Sequence, residues 1–457
     1  MPNRLLLPAS FALLAAACSV GPAWTADERQ QLAAMQNAVR ALMALPPSTL
    51  TTNAVATLPV GKDLDDVDVF LNVFPSLSLA TGPGVKRAWG ADHDVVLPTL
   101  TIFGATDARV ATAGLEMRGF DVLHAFNVVP ERGVVLLVTR RGEQTVALGE
   151  QVWSGSLWHR SYCPELSTDG SHFTFVQDNW LRDRAMLAPT EAPERAVDLN
   201  LPGVVQWPVW PGRDGSHVRA IVAVDGHIEV RDGDRIVATA ESFAHPWFNA
   251  VTDRLQVHLR SGGKEQLLLG DRLLPPLDSY RWLRESADGK HHAAVGREGQ
   301  LDHFVVDDQV VLRHPKILWI ELSANGTWAC AVQEDEQFFV VRANGRSEPL
   351  PYITELVLAP DGSSLAVCTR VLRTSSWAMD GVPLLGYDTV ADLQLLPQKK
   401  GAVFAGHDAS GWWLVTPNGR DGPFERMLHC RVLPDGKHAV CLAQRGREVH
   451  RRALKLP

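Results

Sequence analysis

Fourteen tryptophans, sixteen histidines and six cysteines supply this 457-residue chain with groups for stacking, metal binding and thiol chemistry, so their spacing decides what is available. Trp207, Trp210 and Trp247 lie close to two turn signals. They can form a stacking or protein-contact platform, or they can pack between sheets, where aromatic rings contribute most when buried. His291 and His292 are adjacent on a predicted strand and point to opposite faces, so they do not chelate one metal there. His159 and His172 flank a turn without a neighbouring acid. Glu334, Asp335 and Glu336 make an acidic hairpin tip with too few oxygens for a calcium cage. Asp169, Asp214, Asp288, Asp361 and Asp435 resemble a dispersed carboxylate set, but each precedes a glycine. Asp-Gly is turn chemistry: the carboxylate bonds its own backbone and the glycine accepts positive φ. No GxSxG elbow, P-loop or dinucleotide fingerprint is present. The residues therefore assign no catalytic group, no metal and no cofactor.

The cysteines carry two expectations. If residues 434–437 form a four-residue hairpin loop, Cys430 faces Cys441 across two antiparallel strands. Opposed positions of that kind either hold a disulfide or bury two small hydrophobes. Cys18 follows the run Leu5 to Ala17, in which Arg4 is the only charge before small residues at the end. A basic start, a short apolar stretch and small residues read as a secretory signal peptide, too short to span a bilayer as a helix. The Ala15-Ala16-Ala17-Cys18 end resembles the bacterial lipobox, with Ala15 where leucine is more usual. The resemblance implies lipidation at Cys18 and a periplasmic or cell-surface location on the membrane; an ordinary signal peptide cut near Ala17 is the alternative.

The elements that must position these residues are strands. Leu322 to Val332 reads as strand, tight turn, strand, and it returns at Leu358 to Val367 and at Leu433 to Val440. Gly289, Gly326 and Gly362 are 37 and 36 residues apart, and Gly436 lies 74 beyond Gly362, with a degenerate copy near Gly401. Asp307-Asp308, Asn344-Gly345, Asp380-Gly381 and Asn418-Gly419 mark a second turn in each unit. Two phased hairpin turns per period give about four strands per unit, as in a propeller blade. The fold class is all-β: one β-propeller of about eight four-stranded blades, with seven or nine as alternatives, over residues 69–457.

Before it come the signal peptide (1–17), Cys18 with a short tether (18–24), one amphipathic helix (25–45) and a linker (46–68). Thr25-Ala26-Asp27-Glu28 has the capping-box form, and Pro46-Pro47 stops the helix. A strand within Val69 to Val73 is expected to complete the last blade. The interval from Gly170 to Gly215 is long and carries an inserted loop.

The Pro360-Asp361-Gly362 and Pro434-Asp435-Gly436 turns resemble those of TolB-like, WD40-like β-propeller repeats, over about two thirds of the chain. The Trp-Asp dipeptide of true WD repeats is absent. The resemblance implies a propeller of a group that includes periplasmic and outer-membrane-associated binding proteins and also propellers attached to hydrolases; it shares no catalytic motif. With a net charge of −8 and no basic block, nucleic acid is not expected as a partner. The functional expectation is a non-catalytic binding or scaffold propeller at the bacterial envelope, held by a lipid anchor and engaging an envelope protein, with a small ligand possible. The alternative is a glycan or peptide hydrolase or lyase with its site at the central channel.

Overall fold

A computed structural model describes residues 25–43, the strands between residues 56 and 155, and residues 164–457 apart from 168, 178–183, 207–208, 250–251, 287, 373 and 434–435. The helix is Ala26–Met43. Its capping box is formed: Thr25 N donates to Glu28 Oε2 at 2.8 Å, and Glu28 N donates to Thr25 Oγ1 at 3.2 Å. Cys18 and the expected signal segment lie outside the described residues.

The rest is strand. Ten sheets follow one another among the described residues, antiparallel throughout except that Ala88–Gly90 pairs parallel with Val122–Val129. Sheet 1 runs from Asp68–Val73 to Leu115–Phe120, and sheet 2 from Val122–Val129 to Gln151–Gly155. Sheet 3 (165–198), sheet 4 (204–240), sheet 5 (242–273) and sheet 6 (279–314) come next, then sheets 7 (317–346), 8 (352–383), 9 (389–424) and 10 (426–455). Sheets 2 to 10 stack in chain order, with an apolar cluster at each junction. Val295, Phe304, Ile320 and Val332 fill the one between sheets 6 and 7; Leu414, Met427 and Cys441 help fill that between 9 and 10. First strands of successive sheets touch each other from sheet 6 to sheet 10, so they form the inner side. This is an all-β propeller.

Two expectations are corrected. Among the described residues there are ten sheets rather than about eight. Residues 68–155 carry none of the Asp-Gly punctuation, so their two sheets could not be phased with the later units. Closure also uses another segment. Asp68–Val73 is the first strand of sheet 1, paired with Val96–Gly104. Sheet 10 is completed instead by Ala56–Thr57, paired antiparallel with Val449 and Glu448. The expected linker 46–68 therefore contains the closing strand, which needs only two extended residues. The insertion before Gly215 is a 3-10 turn at Pro193–Arg195 and a split first strand of sheet 4, Val204–Val205 and Trp210–Pro211, both paired to Val218–Val224.

The Asp-Gly turns join the sheets as well as the strands. Asp169, Asp214, Asp288 and Asp361 each accept the backbone N–H two residues on, at 2.8–3.1 Å. Neighbouring turns also bond: Ala324 N donates to Pro360 O at 2.9 Å and Asn325 Nδ2 to Asp361 O at 2.8 Å. Gly362 has φ +71°, and a Cβ there would sit 2.7 Å from Thr327 Cβ. Gly362→Ala is expected to cost about 2–3 kcal/mol, from left-handed strain plus overpacking. Gly381→Ala, with φ +83° and open space around it, should lose only the strain term of about 1 kcal/mol. Equal losses in thermal melts would show that the packing between turns carries no weight.

Candidate functional site

A β-bulge breaks the first strand of every sheet from 5 to 10. A bulge adds one residue to its strand, bends it and re-aims side chains. Near these bulges five successive first strands contribute Arg284, Glu321, Glu355, Asp392 and Arg431, each interacting with the next. Asp392 sits within its bulge at φ +52°. Together they line the inner rim over sheets 6 to 10.

These charges are coupled. Arg284 Nε lies 3.8 Å from Glu321 Oε1. Burial pushes the Glu321 carboxyl up to about 7, with Arg284 opposing and the charge of Glu355 adding to the rise. Burial also raises Glu355, and Asp392 raises it further while Arg284 opposes. Burial lowers Arg431, against the attraction of Asp392. Asp392 Oδ2 accepts Cys430 N at 2.9 Å, and Gln394 spans to the same strand through Val432 N at 2.9 Å and Cys430 O at 3.1 Å. Sheet 10 is thereby clipped to sheet 9 at the level of the rim.

A raised carboxyl pKa has a defined sign. The folded state holds the Glu321 proton above the pH at which the unfolded chain releases it, so stability falls as pH rises from about 4.5 to 7. Glu321→Gln is expected to be neutral near pH 4 and stabilising by about 3 kcal/mol at pH 8, measured as urea unfolding free energy. A pH-independent difference would contradict the assignment.

The residues singled out from sequence go elsewhere. Trp210 is fully buried among Phe173, Ile221 and Phe248, so it is core and offers no platform. Trp247 is half-buried on sheet 5, and Trp207 lies outside the described residues. Cys430 and Cys441 are free and fully buried in the core between sheets 9 and 10. The hairpin closes as expected, with Leu433 N donating to His438 O at 2.8 Å. A bulge between Leu428 and Arg431 then takes Cys430 out of register with Cys441, so the disulfide alternative is not realised. Burial raises both thiols strongly.

His291 Nδ1 meets Asp307 Oδ2 at 2.7 Å and His292 Nε2 meets Asp308 Oδ1 at 3.0 Å, while the other Asp307 oxygen takes His292 N at 3.0 Å, so the adjacent histidines share Asp307. His172 packs beneath Gly215, and His159 is outside the described residues. Glu334 pairs with Arg346 and His314, which hold its carboxyl down at about 2. Among the described residues no group of three or more His, Cys, Asp or Glu is placed to hold a metal.

No family model and no curated protein matches this chain. Solved structures similar to it include the Dos1 propeller, at 10% identity and TM-score 0.32 over 63% of this chain and 90% of that one. Another is the β-propeller domain of the Trilobed protease from Pyrococcus furiosus, described as having an open velcro topology, at 11% identity and TM-score 0.29 over 59% and 99%. TolB from Acinetobacter baumannii follows at 14% identity and TM-score 0.24 over 55% and 59%. At these values they carry no argument about activity, and the fold rests on the sheets themselves.

Proposed function

We propose that this protein is a non-catalytic binding propeller of the bacterial envelope whose inner rim engages a partner protein. The carrying observation is the rim itself: three carboxylates between two guanidinium groups, one from each of five successive sheets. A rim of both signs fits the charged surface of a protein, since complementary fields steer encounter and fix register. The carboxylates at its centre would take basic side chains, and Arg284 and Arg431 would take acidic ones. The envelope address rests on the N-terminal sequence, whose Cys18 supplies the lipid anchor.

The test is in-cell cross-linking of the full chain, followed by affinity capture and mass spectrometry. The E355Q/D392N pair and Cys18→Ser run in parallel. One stoichiometric envelope partner, reduced by the rim pair and lost with Cys18→Ser, supports the reading. A partner captured equally by wild type and rim pair excludes the rim.

A second reading has its own observation. Burial raises Glu321 to about 7 and raises its neighbour Glu355 as well, and a carboxyl that keeps its proton near neutral pH can serve as a general acid. That reading is a hydrolase or lyase acting on a glycan or peptide in the channel. Turnover of such a substrate with a bell-shaped pH profile, abolished by Glu321→Gln, would establish it over the binding role.

A further inference from the structure

Away from the rim, a cleft of about 460 Å³ opens between sheets 7 and 8. Its walls are apolar: Val340 and Leu350 on one side, Leu365, Val367 and Ala378 on the other. Its polar lining includes Arg346, which is engaged by Glu334, and Arg342 and Asp380, which bond to Gly362 and Leu365 at one end. The Asp380 carboxylate takes Leu365 N through Oδ1 at 3.0 Å, which leaves Oδ2 for another donor. Arg342 gives one N–H of its guanidinium to Gly362 O at 3.0 Å; its other donors can serve an anion. The opposite end is bordered by Thr369, which pairs with Ile353 in the strand that begins at Tyr352. Beyond it the hairpin tip exposes Leu372 at 94%, in a left-handed conformation at φ +57°.

We propose that this cleft binds the carboxy-terminal end of a partner polypeptide that finishes in apolar side chains. The volume suits a few residues, and pockets of this size bind through apolar walls with a small number of placed polar groups. The two charged groups at one end match such a terminus: Arg342 takes the terminal carboxylate, and Asp380 Oδ2 takes a backbone N–H. The apolar side chains lie along Val340, Leu350 and Val367. Neither group belongs to the inner rim, so the two sites stand or fall separately.

The experiment uses the full chain and a dye-labelled pentapeptide ending in leucine, as free acid and as carboxamide, read by fluorescence polarisation. The acid is expected to bind about ten-fold tighter than the amide. Arg342→Gln should bring the acid to the level of the amide. Val367→Trp should abolish binding of both, and Thr369→Arg replaces it if that variant does not fold. Equal binding of acid and amide to the wild type would overturn the proposal. Undiminished binding to the blocked cleft would do so as well. Displacement of the peptide by decanoate at lower concentration than by unlabelled peptide would replace the peptide with an acyl chain and equally overturn it.

Discussion

Asp302→Ala is expected to destabilise the protein by about 3–5 kcal/mol, the usual cost of removing one partner from a buried charge network. Asp302 is completely buried on the third strand of sheet 6. Its Oδ1 takes Arg297 NH1 at 2.8 Å, while Oδ2 takes Arg281 NH2 and, at 2.8 Å, the N–H of Ile317. Ile317 opens the first strand of sheet 7, so this single carboxylate joins two sheets and neutralises two arginines. Alanine leaves both guanidinium groups without their carboxylate and one buried N–H unbonded. Asp302→Asn keeps the volume and one acceptor, so it should lose about half as much. Urea unfolding free energies of the two variants check this; a loss below about 1 kcal/mol for alanine would contradict it. Glu265 repeats the arrangement one sheet earlier, taking Tyr280 N at 2.9 Å with His258 and Arg260.

Replacing residues 54–58 with a Gly-Ser stretch of equal length should lower the melting temperature by about 5 °C or more. The pairing lost is short, Ala56 with Val449 and Thr57 with Glu448. Its effect comes from what it closes: an N-terminal segment completes the last sheet, so removing it frees an edge and both ends of the array. Val382–Pro383 is an equally short outer strand on sheet 8 that closes nothing. The same replacement there should cost far less. Equal shifts in calorimetric scans would mean that Ala56–Thr57 is an ordinary edge strand.

The period and strand count per unit were legible because a tight turn requires positive φ, and glycine after aspartate or asparagine announces it. Gly289, Gly326 and Gly362 all have φ between +67° and +80°. Sheets 1 and 2 lack that chemistry and so escaped the count. Closure by an N-terminal strand was expected from the three strands left at the end of the chain. Two residues of Ala and Thr carry no pattern to locate it, so it was assigned to Val69–Val73. The rim was hidden for another reason. Which side of a strand a residue occupies depends on parity, and one bulge reverses it. Glu321, Glu355, Asp392 and Arg431 recur at about the repeat period, which places them in equivalent strands, but the bulges decide which side they face, and Trp210 looked available and is core.

The coupled rim is tested most directly by carbon-detected NMR titration of the Glu321 side-chain carboxyl in the wild type, Glu355→Gln and Arg284→Gln. The rim as described predicts a midpoint near 7 in the wild type, lower in Glu355→Gln and higher in Arg284→Gln. A midpoint in the ordinary carboxylate range near 4.3, unmoved by either substitution, would mean that these side chains do not form one site.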